Sequence, residues 1–332
     1  MRDDGRQIHV INPFRNPLGG SELWALELYR TLRARAGRRV ELWTVASPAP
    51  ALRDRYPIRR IVRWRGQLPR AGTLCVVGAY FRLGRWLRAA RPRRIVLHYN
   101  TNEPARLAAR RAELARWGGA DVEVVHCSER LRARAGVSGV VELPILECGT
   151  LDRLALPRRA RAGSFVVGRH SREARGKHHA EDLDLYRRLA ARGCVVRLMG
   201  GHPSWRPEGL ATGIELAPPG SVEVEPFLAG LDCFLYRTAS WWPEPFGRVV
   251  VEAMAAGLPV VCHASGGYAE VIRHGENGFL FETGDEAYGI VLRLKDDPAL
   301  REAVGAAARA TARALCSEAR KDEVARFYGA DA

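Results

Sequence analysis

The sequence predicts an α/β protein built from two doubly wound parallel-sheet domains in series. Short apolar runs of strand length alternate with helical stretches, the pattern of a parallel sheet covered on both faces. The alternation breaks over residues 150–163 and then restarts. A chain of 332 residues is also too long for one ordinary core and suits two.

In chain order, "RQIHVINPF" reads as the opening strand. "PLGG" turns it into a helix, "SELWALELYRTLRARAG", with Ser21 as N-cap. "RRVELWTV", "TLCVVGAYF" and "RRIVLHYN" are strands, the last two separated by a helical "RLGRWLRAA". The helical "ARLAARRAELARW" is flanked by strands, with "VEVVHCS" and "VVELPIL" after it. Residues 150–163, "TLDRLALPRRARAG", are rich in Arg and Ala and read as a linker. Beyond it come the strand "SFVVG", the helix "AEDLDLYRRLAARG", the strand "CVVRLMGG", the short helix "VEPFLAGL" and the strand "DCFLYR". "GRVVVEAMAAG" is a helix, "LPVVCH" a strand, "GGYAEVIRHG" the start of another helix and "NGFLF" a last strand, before closing helices. The expected domains are 1–150, which is basic, and 151–315, with 316–332 a closing helix.

The charge is unevenly placed. Residues 1–150 hold 28 basic and 13 acidic side chains, whereas residues 151–332 hold 24 of each. The net +15 therefore belongs to the first half, which points to an anionic partner there. Seven scattered cysteines without a Cys-x-x-Cys pair argue for reduced thiols and against a disulfide framework or a zinc site. Met1 to Phe14 holds no long apolar stretch, and no window reaches the roughly 18 apolar residues of a membrane span, so a cytoplasmic protein is expected. Arg and aromatic residues interleave in "YPIRRIVRWRGQLPR" and "FRLGRWLRAARPRR". They read either as a solvated face or as a contact with an anionic membrane surface or lipid-diphosphate acceptor. No nucleic-acid-binding motif is present, and nucleic acid is not expected as a partner.

The most informative segment is 241–261, "WWPEPFGRVVVEAMAAGLPVV". Glu244 lies in a loop after an expected strand, and Glu252 about one and a half turns into the following helix. Ligands of open parallel sheets bind beyond the carboxyl ends of the strands. The amides of Phe246, Gly247 and Arg248 sit at a helix N-terminus, which attracts phosphate or a sugar hydroxyl.

This segment resembles the Glu-x7-Glu motif of the family 4 retaining glycosyltransferases, whose GT-B fold sets two Rossmann-like domains facing across a cleft. "GGSE" at 19–22 is similar to that family's glycine loop, "VLHYN" to its strand ending in a histidine, and "VHCSERLR" to its strand leading to Ser-Glu. "VVGRHSREARGKH" is similar to its Gly-Arg…Lys segment, and "GGYAEVIRHGENGFLF" to its closing segment. The resemblance covers nearly the whole chain and implies an acceptor domain over 1–150, a nucleotide-sugar donor domain over 151–315, and a helix over 316–332 that packs back on the first domain. It implies that Glu244, with Pro245 to Arg248, holds the donor sugar and Glu252 the ribose. It implies that Arg169 and Lys177 neutralise the diphosphate, that Gly19 and Gly20 let backbone amides approach it, and that His98 lies near the reacting carbon. The implied reaction is retaining, metal-independent transfer of a hexosyl group from a nucleotide-diphosphate sugar, with no cofactor, to a glycan or glycolipid acceptor of bacterial cell-surface polysaccharide or lipopolysaccharide. The sequence departs from the family in "YRTASWWPE" ahead of the first glutamate and in "PILECGTLD" at the junction. A sugar-nucleotide epimerase on the same fold and a catalytically silent nucleotide-sugar-binding protein are the alternatives.

Other features read as structural. Glu22 is expected to brace its helix, and His126-Cys127 to lie in the core. Asp182-Leu-Asp184 mimics a metal motif, but residues i and i+2 of a helix do not share a face. It is read as a solvated helix face, and no metal is expected.

Overall fold

The computed structural model describes residues 7–144, 146, 152–154 and 163–330. The chain divides into two units, Met1–Ile145 with Ser317–Ala332, and Leu146–Cys316. The boundary expected at 150/151, and most of the linker expected over 150–163, lie outside the described residues.

The strands of the first unit are β1 (Ile8–Ile11), β2 (Val40–Thr44), β3 (Ile58–Arg60), β4 (Thr73–Val77), β5 (Arg94–Tyr99), β6 (Val122–His126) and β7 (Val140–Val141). They form one parallel sheet in the order β3-β2-β1-β4-β5-β6-β7. Its helices are α1 (Gly20–Arg35), α2 (Pro50–Arg53), α3 (Leu87–Ala90), α4 (Pro104–Gly118) and α5 (Glu129–Ala135). Every residue of β1, β4 and β5 is buried, because helices cover both faces. Trp24, Leu28 and Leu32 of α1 recur one turn apart and bury one face.

The second unit repeats the plan. Its strands β8 (Phe165–His170), β9 (Cys194–Met199), β10 (Ile214–Ala217), β11 (Cys233–Tyr236), β12 (Val260–His263) and β13 (Phe279–Phe281) are parallel, in the order β10-β9-β8-β11-β12-β13. The helices are α6 (Asp182–Ala191), α7 (Val224–Ala229), α8 (Arg248–Ala255), α9 (Gly284–Asp296) and α10 (Pro298–Leu315). Val167, Val196, Leu235 and Val261 of the strands pack with Leu185 and Leu189 of α6 and Leu294 of α9. Each such side chain contributes about 1.5–3 kcal/mol by burial. The last helix, α11 (Glu318–Gly329), belongs with the first unit and lies against α1.

In both sheets the strand order reverses beside the first strand, between β1 and β4 and between β8 and β11. These are the switch points at which open α/β sheets form a ligand crevice. The charge division persists in the observed units: the first holds 31 basic and 16 acidic residues, the second 21 of each. Among the described residues six cysteines are buried, and no helix is long and apolar enough to cross a membrane.

Several elements differ from the expectation. Ser21 does not cap α1; Gly19 holds the N-cap position without a side-chain bond. The Ser21 hydroxyl instead accepts from Asn12 and donates to the carbonyl of Val77, a tertiary partner that outcompetes local capping. "RLGRWLRAA" is helical only over Leu87–Ala90, and "GGYAEVIRHG" makes a single 3-10 turn, Gly267–Glu270. The edge strands β3 and β10 were not expected. Of the aromatics interleaved with Arg, Trp86 is in the core, whereas Trp64 is 79% exposed.

Candidate active site

The second unit gathers its charged side chains beyond the carboxyl ends of β8 and β11. Arg169, near the end of β8, is 1% exposed. Its Nη1 donates to the carbonyl of Arg237 at 2.7 Å and its Nη2 to that of Lys177 at 2.6 Å. The guanidinium also lies over the Tyr236 ring, 4.4 Å from its centroid. Arg169 thereby holds the Lys177 loop and the end of β11 together, while its buried Nε has no hydrogen-bond partner among the described residues.

Lys177 does point into the site, where its ammonium donates to Glu244 Oε2 at 2.5 Å. The Tyr236 hydroxyl donates to the same oxygen at 2.8 Å. Burial acts to raise the Glu244 pKa, but the charge of Lys177, the two hydrogen bonds and the charge of Arg172 outweigh it. The carboxyl is held below its ordinary value and is ionised. Burial and then Glu244 push the Tyr236 phenol well above its ordinary value, so it stays a donor.

Glycine is required at the turn into α8. Gly247 has φ +92°, and a Cβ there would stand 2.5 Å from Tyr268. The turn is locked because Gly267 N donates to the Glu244 carbonyl at 2.9 Å. Pro245 has no amide hydrogen, so the run of N–H groups begins at Phe246, whose side chain is buried. Four residues into α8, Glu252 accepts from Arg248 Nε at 2.8 Å, and its Oε2 lies 3.5 Å from His170 Nε2. Burial keeps His170 neutral by lowering its pKa.

Behind this surface lies a second ion cluster. Asp182 is buried and accepts from Arg237 Nε at 2.6 Å and from the amide of His179 at 2.9 Å. Arg169 Nη1 is 3.7 Å from it. Asp182 is therefore the buried counter-ion of two buried arginines, which corrects its reading as a solvated residue; Asp184 alone is exposed. Among the described residues no group of three or more His, Cys, Asp or Glu could hold a metal.

In the first unit the glycine loop follows β1. A Cβ on Gly19 would meet the Glu22 carboxylate and displace it. Open space surrounds the equivalent position on Gly20. Glu22 is buried at the start of α1 and accepts from the Tyr80 hydroxyl at 3.3 Å. His98 lies in β5. It is wholly buried, with Nε2 2.7 Å from the Tyr328 hydroxyl, which is 3.0 Å from Glu142 Oε2. Its ring stacks on Tyr328 at 10° and meets Trp24 edge-on. Burial lowers its pKa to about 3. In this setting His98 is a neutral side chain that pins α11 to β5.

The same cluster makes the first unit sensitive to pH. Burial raises the Glu142 pKa to about 7, against the pull of the Tyr328 bond, Arg320 and the Trp24 bond and with the push of Glu323. A carboxyl that holds its proton longer in the folded state contributes stability below its ordinary value near 4.5, and that stability is lost as pH rises to about 7. His98 works in the opposite sense, so the two partly cancel in the wild type. The advantage of Glu142→Gln over the wild type should therefore grow by about 3 kcal/mol between pH 4.5 and 7.5. Urea unfolding of both proteins at the two pH values measures it; a constant difference would show Glu142 ionised throughout.

Residues 210–311 match the family model described as glycosyl transferases group 1, a segment that contains Tyr236, Glu244, Arg248 and Glu252. The chain is 37% identical over 152 residues to the D-inositol 3-phosphate glycosyltransferase of Thermomonospora curvata, covering 40% of this chain and 34% of that protein. It is 34% identical over 216 residues to D-inositol 3-phosphate glycosyltransferase 1 of Catenulispora acidiphila, covering 57% and 45%. The chain thus spans less than half the length of these curated relatives. Its fold matches Anabaena Alr3699/HepE, solved in complex with UDP and glucose, with a TM-score of 0.73 at 18% identity over 96% of this chain and 97% of that one. The fold is the GT-B fold.

Three residues of the site gave no separate signal in the sequence, and a fourth, Asp182, was noted only as half of an apparent metal motif. Tyr236 was counted only as a strand residue, and His170 and Arg172 were passed over between Arg169 and Lys177. Asp182 could have been suspected from its place three residues after His179, where a side chain reaches back to a helix-entry amide.

Proposed function

We propose that the protein is a retaining glycosyltransferase that moves a hexosyl group from a nucleotide-diphosphate sugar to a glycan or glycolipid acceptor without a metal. The observation that carries this reading is the Lys177–Glu244–Tyr236 cluster at a sheet switch point, in which Glu244 and Tyr236 are buried and lie within the segment that matches the family model. The second unit takes the donor. Glu244 accepts hydrogen bonds from sugar hydroxyls, and Glu252, steadied by Arg248, accepts them from the ribose. The bond from the anomeric carbon to the diphosphate oxygen breaks, and negative charge grows on the leaving nucleotide. Lys177, the nearby Arg172 and the amides from Phe246 to Arg248 stabilise that charge as fixed donors. The acceptor oxygen attacks on the same face, and its proton passes to the departing phosphate.

Thermal stability against UDP, GDP, ADP and dTDP tests the reading, with Glu252→Ala beside the wild type. A nucleotide at about 100 times its dissociation constant should stabilise by about 2.7 kcal/mol. It should raise the wild-type midpoint by a few degrees and leave the variant's unmoved. Absence of any shift would remove the reading's main support.

The acceptor, on this reading, is an anionic glycolipid of the cell-surface polysaccharide or lipopolysaccharide type at the inner membrane face, met by the basic first unit. The support is charge: Arg82, Arg88 and Arg93 are exposed, and Arg85, Arg88 and Arg116 surround the Trp117 ring. Replacing Arg82, Arg88 and Arg93 by Glu should weaken binding to phosphatidylglycerol vesicles at least tenfold, since each basic side chain near such a surface contributes about 1 kcal/mol. Unchanged vesicle binding would exclude that surface.

A further inference from the structure

Trp241 is 66% exposed, next to the most buried part of the site. Its loop is pinned rather than loose. Trp242 N donates to the Ala239 carbonyl at 2.9 Å, Thr238 Oγ1 to the Trp242 carbonyl at 2.8 Å, and Ala239 N to the Gly176 carbonyl at 3.2 Å. Both indoles back onto Gly176. A Cβ there would stand 3.0 Å from Trp242 Cγ and 3.2 Å from Trp241 Cη2, so glycine is what lets the rings approach. Trp242 meets Trp241 edge-on, with centroids 6.1 Å apart at 64°. The next residue after Gly176 is Lys177, whose ammonium holds Glu244.

We infer that Trp241 is a platform for the donor's hexosyl ring and sets the preference for the sugar nucleotide over the bare nucleotide. The inference rests on the function proposed above. A pyranose has a rim of hydroxyls and faces of C–H groups. Glu244 can take hydroxyls of the rim, while a C–H face needs a flat apolar surface close to the same carboxylate. An indole provides that surface with only two side-chain torsions to fix. Here the loop backbone is already held by its hydrogen bonds and the indole leans on Trp242, so the loop has little backbone freedom to lose on binding.

The test is calorimetric titration of the wild type, Trp241→Ala and Trp241→Phe with UDP, UDP-glucose, UDP-N-acetylglucosamine, GDP and GDP-mannose. Trp241 is exposed, so its loss should leave folding intact, and bare-nucleotide affinity serves as the control. The wild type should bind one sugar nucleotide more tightly than its parent nucleotide. Trp241→Ala should shrink that advantage about two- to tenfold, with Trp241→Phe keeping most of it. The inference is overturned if Trp241→Ala keeps the wild-type ratio, if it weakens the bare nucleotide equally, as stacking on the base would require, or if the wild type gains nothing from any sugar. Failure of every nucleotide to bind would instead overturn the proposed function, and this inference with it.

Discussion

Replacing Asp182 by alanine should destabilise the second unit by about 3–5 kcal/mol, the cost of leaving a buried charge without its partner. Arg237 and Arg169 are both buried, and Asp182 is the carboxylate between them, bonded to one at 2.6 Å and 3.7 Å from the other. Glu181 also reaches Arg237, at 3.3 Å, but it is largely exposed and solvent screens it. Losing Asp182 also frees the His179 amide at the entry to α6. For a unit of this size the midpoint should fall by about 10 °C. Two units need not unfold together, so hydrogen exchange in β8 and β11 is the more direct measure. Asp182→Asn, which keeps the acceptor and drops the charge, should lie between wild type and alanine. A loss below about 1 kcal/mol in the alanine variant would mean that water reaches both guanidiniums.

The consequence extends to the site, because Arg169 bonds the carbonyls of Lys177 and Arg237. This link explains what sequence reading could and could not reach. The strand–helix alternation, the turn at Gly247 and the acids on either side of it are local patterns, and each was legible. The environment of Asp182 was not, since its partner lies 55 residues away and nothing near "AEDLD" announces it. The partner of His98 was hidden for the same reason at longer range: the hydroxyl that meets it belongs to Tyr328, 230 residues on. The helical reading of Asp182-Leu-Asp184 was right about the element and wrong about the face. Nor does the sequence around Arg169 announce the two backbone carbonyls that hold it. The edge strands β3 and β10 were missed because they are short and half exposed, without the continuous apolar run of the central strands.

Replacing Lys177 by methionine should lower turnover by about 10²–10³-fold, the usual cost of removing one fixed donor from a developing charge. The substrate is whichever sugar nucleotide the binding measurements select. Methionine preserves the length and apolar stem of lysine, so the change isolates the ammonium. That ammonium has two duties on the proposed reading: it faces the diphosphate, and it holds Glu244 ionised. Tyr236 and Arg172 alone would then oppose the burial of Glu244, so its pKa should rise in the variant. The acid limb of the pH–rate profile should move to higher pH, which a purely structural defect would not produce. Glu244→Gln removes that titration, so the double variant should lose less than the product of the single losses and show no shifted limb. Stability has its own sign. A depressed carboxyl contributes above its unfolded pKa and loses that contribution as pH falls, so Lys177→Met should cost most near neutrality and little in acid. Turnover within about tenfold of the wild type would move the diphosphate charge from Lys177 to the exposed Arg172 and Arg175. Lys177 would then remain only as the residue that positions Glu244.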